Sequence, residues 1–143
     1  MKKNGAIVIA NCADGTHDGN CTFIAVEPLT ERYLLVTMDG TVGNGKVKPC
    51  GEGELPIGVA TDEAEANDAV NVHFLGGSET IIAVAAAPIS AGTIVAPAEN
   101  GKVSAPESEG DHYLIGIAVG SAASAGDRIE ILPNVPPALT IEE

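Results

Sequence analysis

The sequence predicts an all-β fold, a small β-sandwich or barrel, on three observations. Apolar segments of five to seven residues recur along the chain, turn-forming residues separate them, and no stretch keeps a helical period beyond one turn. A chain of 143 residues suits one domain, or one domain with arms, so a single core is expected.

The predicted strands run in order along the chain. Ala6–Ala10 comes first, after Lys2 and Lys3; its five apolar residues are too few for a secretory segment, and Asn11 stands where a cleavage site needs a small residue. No apolar run reaches the roughly 20 residues of a membrane helix. The chain is therefore expected to be made and kept in a cytosol. Residues 11–20 read as a polar loop, and Thr22–Val26 as the next strand. Tyr33–Met38 ends at Asp39-Gly40, and Asn44-Gly45 supplies a second turn before Leu55–Ala60. In Ala69–Leu75, Val70, Val72 and Phe74 alternate with Asn71 and His73, the period of a strand with one buried face. Gly76-Gly77 separates it from Thr80–Ala85, and Asn100-Gly101 precedes Tyr113–Val119. Arg128–Leu132 closes the series, with Ile129 and Ile131 flanking Glu130. Only Thr61–Ala66 and Ser121–Ala125 read as one-turn helical pieces. Pro133, Pro136 and Pro137 make residues 133–143 an extended tail that cannot serve as a central strand.

The chain also repeats itself. Asn44-Gly-Lys-Val47 recurs as Asn100-Gly-Lys-Val103, Ile57-Gly-Val-Ala60 as Ile115-Gly-Ile-Ala118, and Asn67-Asp-Ala-Val-Asn-Val72 as Gly126-Asp-Arg-Ile-Glu-Ile131, with offsets of 56, 58 and 59. Three ordered matches predict two similar β-units packed together, neither with core enough to stand alone. The expected layout is an N-terminal arm and polar loop over 1–30, a β-domain over 31–132 whose related halves span about 44–75 and 100–132, and the Pro-rich tail over 133–143.

Composition narrows the function. Seven basic against 20 acidic residues give a net charge of −13, and residues beyond position 50 carry only two of the cations. Binding polyanions requires clustered Lys and Arg, so nucleic acid and membrane surfaces are not expected partners. Two Phe, two Tyr and no Trp leave few flat surfaces on which sugars or bases stack.

The local motifs carry little chemistry. Gly40-Thr-Val-Gly-Asn-Gly-Lys46 fits the first seven positions of a phosphate-binding loop, but the eighth is Val47, and Val47-Lys-Pro-Cys-Gly51 cannot open the helix that loop needs; the segment reads as a hairpin turn. Asp14, Thr16, Asp18 and Gly19 match early positions of a calcium loop, yet Ala25 stands where the bidentate Glu belongs. Cys12, His17, Cys21 and Cys50 offer a Cys₃His set without the paired spacing of structural zinc sites. Three cysteines, an odd number, read as free thiols. His73 and His112 read as surface residues, and Ser121 and Ser124 lack a nucleophile motif. No catalytic residue, cofactor or metal is expected, and the chain is not expected to be an enzyme.

Larger runs resemble a known family. Leu55-Pro-Ile-Gly-Val-Ala60, Ala64-Glu-Ala-Asn-Asp-Ala-Val-Asn-Val72, Ala86-Ala-Pro-Ile-Ser-Ala-Gly-Thr-Ile-Val95, Asn100-Gly-Lys-Val103, and Leu114-Ile-Gly-Ile-Ala118 with Ala122-Ala-Ser-Ala-Gly-Asp-Arg-Ile-Glu-Ile131 look like the capsid decoration, or cement, proteins of tailed bacteriophages. The likeness spans roughly residues 30–133. It implies a β-tulip-like body on the outer surface of an expanded phage head, commonly as a homotrimer, with the major capsid protein as partner and synthesis in the host cytoplasm. The other appendages that such a body suits are a head fibre base, a tail or a cell-surface adhesion module. Residues 1–10 are basic and apolar where the body is acidic, and an exposed strand-forming segment can add to the edge of a neighbouring sheet. Lys2, Lys3, Ile7, Val8 and Ile9 are the candidate capsid-contact residues.

Overall fold

The computed structural model describes residues 19–76, 79–107, 110–133 and 138–141. Two β-units built to one plan succeed each other along the chain. The first contains β1 (Asn20–Ala25), β2 (Leu35–Met38), β3 (Lys46–Pro49), β4 (Gly58–Ala60) and β5 (Ala69–Phe74), closed into a barrel in the order β1-β3-β2-β4-β5. The second contains β6 (Ile81–Val84), β7 (Ile94–Pro97), β8 (Val103–Ser104), β10 (Gly116–Ala118) and β11 (Arg128–Leu132), in the order β6-β11-β10-β7-β8. Between β8 and β10 lies β9 (Gly110–Tyr113), which pairs with β12 (Ala138–Ile141) in a separate two-stranded ribbon. β12 is thus the strand within the Pro-rich tail, and β9 is its sole partner among the named strands.

The units match pair by pair. β1 runs antiparallel to β5 as β6 does to β11, β2 to β4 as β7 to β10, and β2 to β3 as β7 to β8. The parallel pairing Ala25↔Val47 returns as the bridge Ala85↔Val103, and the antiparallel bridge Leu29↔Ala64 as Ile89↔Ala122. The correspondence therefore extends from the matched segments 44–75 and 100–132 back to β1 and β6. The strand inside residues 1–30 is β1, a stave of the barrel paired on both sides.

The repeated Ile-Gly has a steric cause. β4 approaches β5 so closely that a Cβ on Gly58 would overlap the His73 carbonyl oxygen, and a Cβ on Gly116 would overlap that of Leu132 on β11. Only glycine lets these backbones pair at this distance.

Two regions differ from the sequence-based expectation. Thr61–Ala66 and Ser121–Ala125 are not helical; Ala64 and Ala122 instead exchange both backbone hydrogen bonds with Leu29 and Ile89, at 2.8 to 3.1 Å. A single helical turn does not offset its nucleation cost, whereas these bridges satisfy the same groups at once. Five strands also lie outside that expectation: β3, where Lys46 and Lys48 mask the pattern; β7, a continuous apolar run ending in Pro97; β8, only two residues long; and β9 and β12.

The core is aliphatic and shared between the units. One buried cluster lies within the first barrel, including Phe23, Leu34, Val36, Val47, Val70 and Val72, and takes in Val84 from the second unit. The other lines the second sheet with Ile81, Val95, Ile115, Ile129 and Ile131, and it includes Leu35, Cys50 and Val59 from the barrel's outer face. Each such side chain contributes about 1.5–3 kcal/mol when fully buried. Phe23 and Phe74 meet edge to face at 6.0 Å.

Candidate binding surface

Lys2, Lys3, Ile7, Val8 and Ile9 lie outside the described residues, as do Cys12, Asp14, Thr16, His17 and Asp18. The phosphate-loop look-alike is the β2–β3 connection: Val42 N–H donates to the Asp39 carbonyl, Thr41 Oγ1 donates to Asp39 Oδ1 at 2.6 Å, and the chain passes directly into β3. No helix comes after it to receive a phosphate. Cys21 is disulfide-bonded, which corrects the expectation of three free thiols; an odd count leaves room for one bridge and one thiol. Its partner lies outside the described residues. Cys21 is therefore not a thiolate ligand in this structure, and Cys50 belongs to the other buried cluster.

The histidines also separate. His73 on β5 is half-buried, with Nε2 at 3.4 Å from Glu79 Oε2. His112 on β9 is 5% exposed, which corrects its reading as a surface residue: its position on the paired strand turns it inward despite the acidic neighbours in sequence. Ser124 sits in a turn closed by the Asp127 carboxylate, which accepts hydrogen bonds from the Ala123 and Ser124 backbone N–H groups at 3.0 and 3.1 Å. Among the described residues no three His, Cys, Asp or Glu side chains converge on a metal position. An open depression bordered by Glu63, Glu65 and Asp68 has no cation facing them among its lining residues.

What the surface does offer is apolar and cationic contact. On the outer face of the second sheet, Ile94, Ile117 and Leu132 lie side by side across β7, β10 and β11. A second row runs Ile82, Glu130, Val119: the first two are register partners, and Val119 N–H donates to the Glu130 carbonyl at 2.9 Å. Ile94, Leu132 and Val119 are 40%, 43% and 52% exposed. At the seam of the units, the guanidinium groups of Arg32 and Arg128 lie 4.9 and 5.0 Å from the Tyr33 ring centre. Tyr33 holds φ +72°, a cost that these contacts and its packing against both core clusters offset. Neither feature stands out in sequence, because each is assembled from residues of both halves or of three separated strands.

The structure is thus a duplicated all-β body with exposed apolar and cationic faces, and the comparisons place it among phage proteins. The phage cement protein family matches residues 30–133, and the chain belongs to that family. No curated protein matches the sequence. Among solved structures, the chain shares the fold of the head fibre gp8.5 N base of bacteriophage phi29, with a TM-score of 0.63 and 16% identity over 80% of this chain and 92% of that one. No helix among the described residues is long and apolar enough to cross a membrane.

Proposed function

We propose that this protein is a capsid decoration protein that binds the outside of a phage head and stabilises the expanded capsid. The observation that carries the reading is the match to the cement family over residues 30–133. The physical features support it: an aliphatic core, an acidic composition, and exposed apolar and cationic contact faces. In this reading the protein is a non-enzymatic homotrimer that takes no cofactor, its partner is the major capsid protein, and it is made in the host cytoplasm and resides on the virion. Residues 1–10 act as the capsid-binding arm through Lys2, Lys3, Ile7, Val8 and Ile9, ahead of a body whose first strand is β1. The fold likeness to a head fibre base supports a second reading, an appendage seated on the head rather than a coat over it.

Sedimentation of the purified protein with expanded heads lacking it tests both. Decoration is expected to saturate at many copies per head and to raise the temperature at which heads rupture. Binding at a few copies without that stabilisation favours the appendage. Removal of residues 1–10 is expected to weaken attachment while the body stays folded; loss of folding instead makes the segment part of the core.

A further inference from the structure

We propose that the outer face of the second sheet is a self-association surface, covered in solution by a second copy of this chain. The proposal deepens the reading of the chain as an oligomeric decoration protein and rests on it. Its basis is the duplication. By the pairing of the two units, the row Ile94–Ile117–Leu132 corresponds to Leu35–Val59–His73 on the first barrel. There Leu35 and Val59 are 0% and 2% exposed, because the second β-unit packs over them. This face of the fold is thus already an interface in one unit, and what covers it is another β-unit of the same plan.

The neighbouring row points the same way. In the first unit it is Thr22–Asn71–Thr61, polar and satisfied: Asn71 Nδ2 donates to Thr61 Oγ1 and to Asn20 Oδ1, both at 2.9 Å. In the second unit it is Ile82–Glu130–Val119, more apolar on the more exposed face. Solvent alone favours the opposite distribution, and a contiguous apolar patch marks an interaction site. Charge sets where two copies can meet. Two chains that each carry −13 repel, and they meet at least cost where carboxylates are sparse. Here five apolar side chains surround one, Glu130.

Sedimentation velocity of the full chain tests this, comparing the native protein with Leu132→Glu, Ile94→Glu and the milder Val119→Ser. Val42→Glu, a 57% exposed position on the β2–β3 connection, serves as control. The native and Val42→Glu proteins are expected to be oligomers. The two face variants should run as folded monomers, and Val119→Ser should weaken association about tenfold or more. A monomeric native protein, or Leu132→Glu and Val119→Ser that both keep the oligomer's mass and affinity, overturns the proposal. Head binding separates the two readings: a monomeric native protein that loses head attachment on Leu132→Glu puts a capsid subunit on this face and leaves decoration standing. An oligomer that dissociates on Leu132→Glu, from a native protein that never binds heads, upholds the face and removes decoration.

Discussion

The two β-units share a strand order but not a way of closing. In the first, β1 pairs with β5 on one side and β3 on the other, so the barrel has no open edge. In the second, β6 pairs with β11, but it reaches β8 only through the single bridge Ala85↔Val103. The matched Asn-Gly turns explain the difference. The Gly45 carbonyl accepts from Ile24 N–H at 2.9 Å and helps close its own barrel. Gly101 N–H instead donates to the Cys50 carbonyl at 2.7 Å, in the other unit, and a Cβ there would stand 2.9 Å from the Leu35 oxygen. One copy of the motif seals its unit; the other ties the units together. A duplicated fold can thus keep one half with a fully closed sheet as the support on which the second completes its core.

The largest test of this asymmetry compares paired positions. Leu35→Ala is expected to cost about 2–5 kcal/mol in urea unfolding, because the cavity opens where the units meet. Its counterpart Ile94→Ala, measured at concentrations where the chain is monomeric, is expected to cost less than about 1 kcal/mol. Equal losses at the two positions break the comparison.

A second test uses the thiol at the seam. Burial, with Glu54 nearby, pushes the Cys50 thiol up from 9.0 to about 12. Because its neutral form is favoured in the folded chain, the stability it contributes is fully present below pH 9 and lost as pH rises through 12, at up to about 1.4 kcal/mol per pH unit. Unfolding curves of the native protein and Cys50→Ala across this window should differ in slope. Parallel curves show that the seam does not hold the thiol neutral.

The smallest effect is at the cation stack. Arg128→Ala is expected to cost about 0.5–1 kcal/mol by removing one guanidinium from Tyr33, and Arg128→Lys to restore part of it. No change assigns the seam to its apolar contacts alone.

Much of this organisation is legible in the sequence. The all-β class comes from short apolar runs between turns, and the repeat from three motif pairs that mark the same turns and strands in both units. Ile-Gly is readable as a motif, although its cause, the close approach of β4 to β5 and of β10 to β11, is a matter of distance. What the sequence hides is relational. Lys46 and Lys48 conceal β3 because a barrel stave can expose one face to water. Ile94 and Leu35 are equally apolar in sequence, and only the packing of one unit on the other separates an exposed side chain from a buried one. His112 is inward-facing because β9 is paired, which its acidic neighbours do not signal.

The order of strands along the chain has a consequence for synthesis. In each unit the first strand pairs with the last, β1 with β5 and β6 with β11, so neither unit completes itself until its own final strand has left the ribosome. Every stave of the first barrel lies within residues 20–74, so that barrel closes without any later strand. The second core needs Leu35, Cys50 and Val59, all translated earlier. Emergence from the amino end thus supplies the barrel's share of the second core before it is needed, with Val84 the later contribution to the first, and a circular permutant that begins at β6 would expose the second unit's apolar lining until the first was made.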